Sequence, residues 1–202
     1  MELLLIIPIF FLIYFTNILF LKNNLLLNYS GQEHQIFTGN KKIPLTGGIF
    51  VLIFSSLIFY NLGILYISFI FLIFLIGLLS DLNLVSSVKI RFIIQLIIVC
   101  FFVFIIEITV GSTRIHYLDL ILENKLFSLS FTIFCLMIVI NGSNFIDGLN
   151  GLVLGYFMSI FFILIKLNLF EELNISNLAL VYFGFIIVFL FILNIFNKLY
   201  LD

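Results

Sequence analysis

Charge is what this sequence has least of: only 9% of its 202 residues are Asp, Glu, Lys or Arg, against 64% hydrophobic, and the mean hydropathy is +1.36. Soluble domains carry charge on roughly a quarter of their residues, so that class is excluded. The formal net charge of −1 and the lack of any basic stripe leave nothing to gather nucleic acid. Cysteine is equally scarce. Cys100 and Cys135 fall inside apolar runs with no paired spacing, which supports neither a disulfide framework nor a zinc site. The first apolar run carries an acid at Glu2, has no basic start and offers no small-residue cleavage site before Lys22, so it is taken as a retained helix and not a cleaved signal. Internal repeats and low-complexity linkers are missing too. Residues 1–202 are therefore expected to form a single integral membrane domain.

What is present is a series of long apolar runs. A helix needs about 20 residues to cross a hydrocarbon core of roughly 30 Å. The runs near 3–21, 47–61, 64–80, 89–107, 126–140, 151–167 and 177–196 predict about seven spans, two of them short. Hydrocarbon gives backbone groups no partner, so the spans must be helices and not open strands. The expected fold class is an all-α, polytopic membrane bundle. With seven spans, the connections after the odd-numbered helices carry Lys22, Lys41, Lys42, Lys89, Arg91 and Lys198, and the opposite side carries only Arg114, Lys125 and Lys166. That asymmetry predicts cytoplasmic odd-numbered connections and an external N-terminus.

Four polar patches fall on that same predicted cytoplasmic side. The first contains His34 and then Pro44-Leu45-Thr46-Gly47-Gly48, where proline fixes one φ and paired glycines admit close approach. As a bland alternative, this is a helix entry with small packing residues. The second runs from Gly77 to Ser80-Asp81-Leu82-Asn83, with Lys89, Arg91 and Gln95 opening the next span. A carboxylate at Asp81 directly after an apolar run suits an ion or substrate, or simply the membrane boundary. The third, Asn141 to Leu152, is the most informative: if its helix continues, Asn141, Asn144 and Asp147 share a face. Two carboxamides and a carboxylate would then offer hard oxygen ligands and hydrogen bonds, with Gly148 and Gly151 beside them. The fourth is Asn194 to Asp202.

In order and spacing, Pro44 to Gly48, Gly77 to Asp81 with Lys89 and Gln95, and Asn141 to Leu152 resemble the polyprenyl-phosphate N-acetylhexosamine-1-phosphate transferases, glycosyltransferase family 4. The wording is closer to the envelope-polysaccharide branch, which starts O-antigen and related glycans, than to the branch that makes lipid I. The resemblance implies transfer of N-acetylhexosamine-1-phosphate from a UDP-sugar such as UDP-N-acetylglucosamine to undecaprenyl phosphate, with release of UMP. It implies a bacterial inner (plasma) membrane protein with cytoplasmic motif loops and Mg²⁺ as cofactor, Mn²⁺ being the alternative. A homodimer is compatible with it.

Carried over by position, the resemblance makes Asp147 the metal-binding carboxylate, with Asp81 as a second catalytic acid and metal ligand. Asn141 and Asn144 become polar contacts to substrate, and Lys89 neutralises phosphate charge. Thr46, Gly47 and Gly48 line the entrance, and His34 matches a histidine ahead of the Pro-x-x-Gly-Gly stretch. Two departures stand out. Ser80 occupies the place of the first of two family aspartates, and a serine hydroxyl can donate or accept but cannot supply charge. The resemblance also covers about the first two-thirds of a typical member, so the chain is expected to be C-terminally truncated, without the later helices and the His-containing loop. Two other readings are carried with the transferase: a non-catalytic truncated or degenerate membrane paralogue, and a small transporter, for which Glu107 is the single candidate acid.

Overall fold

Backbone amides with no water to bond must bond each other, and the chain meets that demand with helices. The structure, a computed structural model, describes residues 6–27, 44–146, 152–167, 175 and 177–196. Their elements, in order, are α1 (Ile6–Lys22), α2 (Thr46–Ile58), a 3₁₀ turn (Tyr60–Leu62), α3 (Ile64–Asp81), α4 (Val88–Ile106), α5 (His116–Leu122), α6 (Lys125–Ile146), α7 (Leu152–Lys166) and α8 (Asn177–Phe196). The described residues contain no strand; one isolated bridge joins Leu27 to Pro44. The protein is an all-α membrane protein. By length and composition α3, α4 and α6 are able to cross a membrane, while α1, α2, α7 and the described part of α8 are shorter apolar helices. At 13 residues, α2 rises only about 20 Å. The seven apolar helices match the seven expected runs. The 3₁₀ turn and α5 were not anticipated, because neither is long enough to show a hydrophobic period.

Successive helices fold back on one another. Gly63, at φ 98°, turns the chain from the 3₁₀ segment into α3 in a conformation that a side chain would disfavour. Among the described residues three apolar clusters form the interior. Phe161, Leu180, Phe183 and Ile187 join α7 to α8, and Ile13, Phe50, Ile186 and Leu190 add α1 and α2. Val99, Val103, Leu129 and Met137 join α4 to α6, with Phe69 and Ile73 of α3 against them. At Gly48 α2 and α3 meet closely: an added Cβ would lie 3.1 Å from the Phe74 ring. Large apolar side chains remain on the outside, among them Phe71, Phe101, Phe104 and Phe134. In water such a surface would aggregate; in lipid it is the natural exterior.

The α4–α6 connection is knotted by its own polar groups. Asp119 accepts from the Ser112 hydroxyl at 2.8 Å, the Thr113 amide at 2.7 Å and the Thr113 hydroxyl at 2.6 Å. The Thr113 hydroxyl first, then the Thr113 amide and the Ser112 hydroxyl, hold this carboxyl below its ordinary value of 3.8. The Val110 amide donates to Thr132 Oγ1 at 2.9 Å, and Thr132 donates to the Ser128 carbonyl at 2.8 Å. Lys125 and Glu107 form an exposed ion pair at 2.8 Å. Glu107 thus sits just past the end of α4 and not inside a span, which removes the acid on which a transporter reading rested.

Candidate functional site

The motif residues that the structure describes gather at one end of the bundle. Gly48 packs on Phe74 of the second half of α3, and Gly47 approaches Leu190 of the second half of α8. The start of α2 therefore meets the ends of α3 and α8, and Gly155 near the start of α7 meets Phe191. The first turns of α2, α4 and α7 and the last turns of α1, α3, α6 and α8 share this end. Lys22, Lys89 and Arg91 belong to it, whereas Arg114, Lys125 and Lys166 belong to the other; Lys41, Lys42 and Lys198 lie outside the described residues.

Thr46 opens α2 and is 5% exposed; its hydroxyl donates to Oδ1 of Asn17, 6% exposed on α1, at 3.0 Å. A lone asparagine in an apolar span gave no sequence signal. Its role appears only when α1 and α2 are set side by side. The Leu45 amide donates to the Leu26 carbonyl at 2.9 Å, so the chain leaves α1 and re-enters α2 at neighbouring points. His34 lies between them, outside the described residues.

Across from this pair, α3 ends at Asp81 and a short turn delivers the chain to α4. The amides of Leu82, Asn83, Leu84 and Val85 bond back to carbonyls of the last turn of α3, and the Ser87 hydroxyl caps α4 at the Ile90 amide, 3.5 Å away. Asp81 and Lys89 are exposed. Ser80 is buried, and its Oγ accepts from Arg91 Nη1 at 2.9 Å. Arg91, Gln95, Val99 and Val103 recur every fourth residue and form the inward stripe of α4. Gln95 is 2% exposed. Its Oε1 and Arg91 Nε are buried with no hydrogen-bond partner among the described residues. The assigned site residues did not include Arg91 or Gln95, although a polar pair on an otherwise apolar fourfold stripe was the signal that could have found them.

The helix α6 does continue into the third patch, through Ile146, so Asn141 and Asn144 lie on it three residues apart. The Asn141 Nδ2 donates to the Met137 carbonyl at 3.0 Å, which ties one amide hydrogen to its own helix and leaves the oxygen without a part in that bond. Asp147, Gly148 and Gly151 lie outside the described residues, as do the residues after Phe196. Among the described residues no three His, Cys, Asp or Glu side chains gather. Among the described residues, the Asp81 carboxylate and the Asn141 carboxamide oxygen are two of the hard donors at this end. Oxygen donors with few carboxylates suit Mg²⁺, which keeps waters and substrate phosphates as its other ligands.

The sequence profile of glycosyl transferase family 4 matches residues 63–199, more than half of the chain. The chain belongs to glycosyl transferase family 4. It is a polyprenyl-phosphate sugar-1-phosphate transferase in the general sense, set in a membrane, with a polyprenyl phosphate and a nucleotide sugar as substrate classes. No curated protein and no solved structure matches the chain. The matched region takes in α3 to α8, and so the Ser80-Asp81, Lys89 and Asn141–Asp147 motifs; His34 and Pro44 to Gly48 precede it.

Proposed function

We propose that the protein transfers N-acetylhexosamine-1-phosphate from a UDP-sugar to undecaprenyl phosphate and thereby starts a cell-envelope glycan, at the cytoplasmic face of a bacterial inner membrane. The observation that carries this is the gathering of the family's motif ends at one end of the bundle, beside an apolar exterior that a polyprenyl tail can follow. A phosphate oxygen of the lipid attacks the sugar-linked phosphorus of the UDP-sugar. A new P–O bond forms, the bond to the bridging oxygen breaks, and UMP leaves with that oxygen and its electron pair. Both reactants are anions, so the residues must position them and offset charge.

Asp147 and Asp81 would hold Mg²⁺, with the Asn141 and Asn144 carboxamides supporting the substrate. When bound, the ion would neutralise phosphate charge as reactants approach. Lys89, exposed in the first turn of α4, would meet a nucleotide sugar arriving from the aqueous side. Thr46, Gly47 and Gly48 border the entry at the start of α2, and the buried Thr46–Asn17 bond fixes that border. His34, by its place in the motif order, is proposed as a further substrate contact.

The test is an assay of the full chain in nanodiscs with undecaprenyl phosphate, UDP-N-acetylglucosamine or UDP-N-acetylgalactosamine, and Mg²⁺. Stoichiometric UMP and lipid-diphospho-sugar are expected, and EDTA should stop their formation. Absence of both products with every UDP-sugar tried would favour the non-catalytic paralogue. For the orientation, a cysteine placed at position 83 should resist impermeant thiol reagents in intact cells; labelling from outside would invert the topology.

A further inference from the structure

We infer that α5 is a membrane-binding surface: it lies along the boundary between acyl chains and headgroups in the leaflet opposite the motif end, with Tyr117, Leu120 and Ile121 in lipid. These three residues are spaced three and four apart and so share one face of the helix. Tyr117 is 80% exposed, and Leu120 and Ile121 are each 50% exposed. The other face packs on α6 and holds Leu118, Asp119 and Leu122, all half-buried. A connection bathed in water turns its charges out and its apolar groups in. Here the carboxylate of Asp119 is turned in, bonded to Ser112 and Thr113, and the apolar side chains are turned out. Those bonds fix the rotation of α5 and hence the face it presents.

The level of α5 follows from the helices on either side. With 19 residues, α4 rises about 28 Å, close to the roughly 30 Å of a hydrocarbon core. Its far end, marked by the exposed Glu107–Lys125 pair, therefore stands at the opposite membrane boundary. The outward face of α5 continues an apolar exterior that lipid already covers: Phe104 and Ile105 in the last turn of α4 and Leu126 in the first turn of α6 are all exposed. Arg114 and His116 precede that face and Glu123 follows it, all exposed, where headgroups and water can receive them. Apolar side chains flanked by polar ones, with a tyrosine among them, are the composition of a helix that lies in the interface and does not span it.

The sequence contains no tryptophan, so a single substitution gives a fluorophore with no background. Tyr117→Trp, Ile121→Trp and, for comparison, Glu123→Trp and Ile97→Trp are placed one at a time in the full chain in phosphatidylcholine nanodiscs. Each is excited beyond tyrosine absorption and quenched by iodide in the water, by lipids brominated near the headgroup, or by lipids brominated near the chain end. The indoles at 117 and 121 should be quenched several-fold more by shallow bromines than by deep ones. Iodide should quench them several-fold less than the indole at 123. Ile97→Trp, at the middle of α4, should answer to the deep bromines and so calibrates the depth scale. Iodide quenching at 117 and 121 equal to that at 123 would place the face in water and overturn the inference. Insensitivity to both iodide and bromine would mean that protein, such as a second copy, covers the face, and would overturn it too. If Tyr117→Trp does not fold, Ile121→Trp decides by the same criteria. UMP release plays no part in the readout, so the outcome is independent of the transferase reading.

Discussion

The two ends of α4 treat polar groups in opposite ways. At its C-terminal end, the connection to α6 spends its hydrogen bonds on itself. Asp119 takes three donors, Thr132 takes the Val110 amide, and Lys125 meets Glu107. At its N-terminal end, Arg91 and Gln95 are drawn inward and left with unspent atoms. A local network whose demands are met can only stabilise a loop. A buried network whose demands are partly unmet costs stability, and such a cost is tolerated where a ligand will complete the set. The family's motifs lie at the second kind of end and not at the first.

The sharpest test of that contrast is at the motif end. Asp147→Asn should abolish UMP release, with a loss beyond the roughly 10–100-fold that follows from removing an outer partner of a metal ligand. Near-native turnover would remove Asp147 from the site and weaken the contrast at its strongest point. Gly48→Leu should follow in size. Its side chain must enter space already taken by Phe74, 3.1 Å from the first added atom, at a cost of about 1–3 kcal/mol. A lowered melting temperature in detergent would report it, and an unchanged one would mean that α2 and α3 are not packed there.

Thr46→Val keeps the shape of the side chain and removes the bond to Asn17. Hydrogen bonds between helices in membranes average about 0.6 kcal/mol and reach about 1.7, so thermal stability should drop slightly, and transfer should fall if that border orients substrate. The smallest effect belongs to the other end. The lowered carboxyl of Asp119 means that its ionised form favours the folded loop. Its contribution is complete above the ordinary value of 3.8 and disappears as pH falls through the lowered folded value. Asp119→Asn should therefore flatten that part of the acid melting profile without changing transfer at neutral pH. A loss of transfer would show that both ends of α4 serve the reaction.

Much of this was legible in residue order. Apolar runs of span length located every long helix, because hydrocarbon tolerates no other open backbone. The polar stretch from Asn141 announced its own face, and α6 does carry Asn141 and Asn144 on one helix. The connection after α4 was not legible: α5 has seven residues, too few for a period, and it is held by Ser, Thr and Asp side chains whose pairing depends on the turn between them. Position 80 was legible only in part. As a sequence feature Ser80 was the absence of an acid; as a structural feature it is the acceptor that holds Arg91.

The sequence by itself determined that this is a membrane-embedded helical chain carrying the motifs of glycosyl transferase family 4, since hydropathy and local spacing are properties of neighbours along the chain. Only the tertiary structure decided which polar side chains meet. Asn17 reaches Thr46 across 29 positions and Arg91 reaches Ser80 across 11, and both contacts exist because helices running in opposite directions pack side by side, bringing together residues that no local pattern relates.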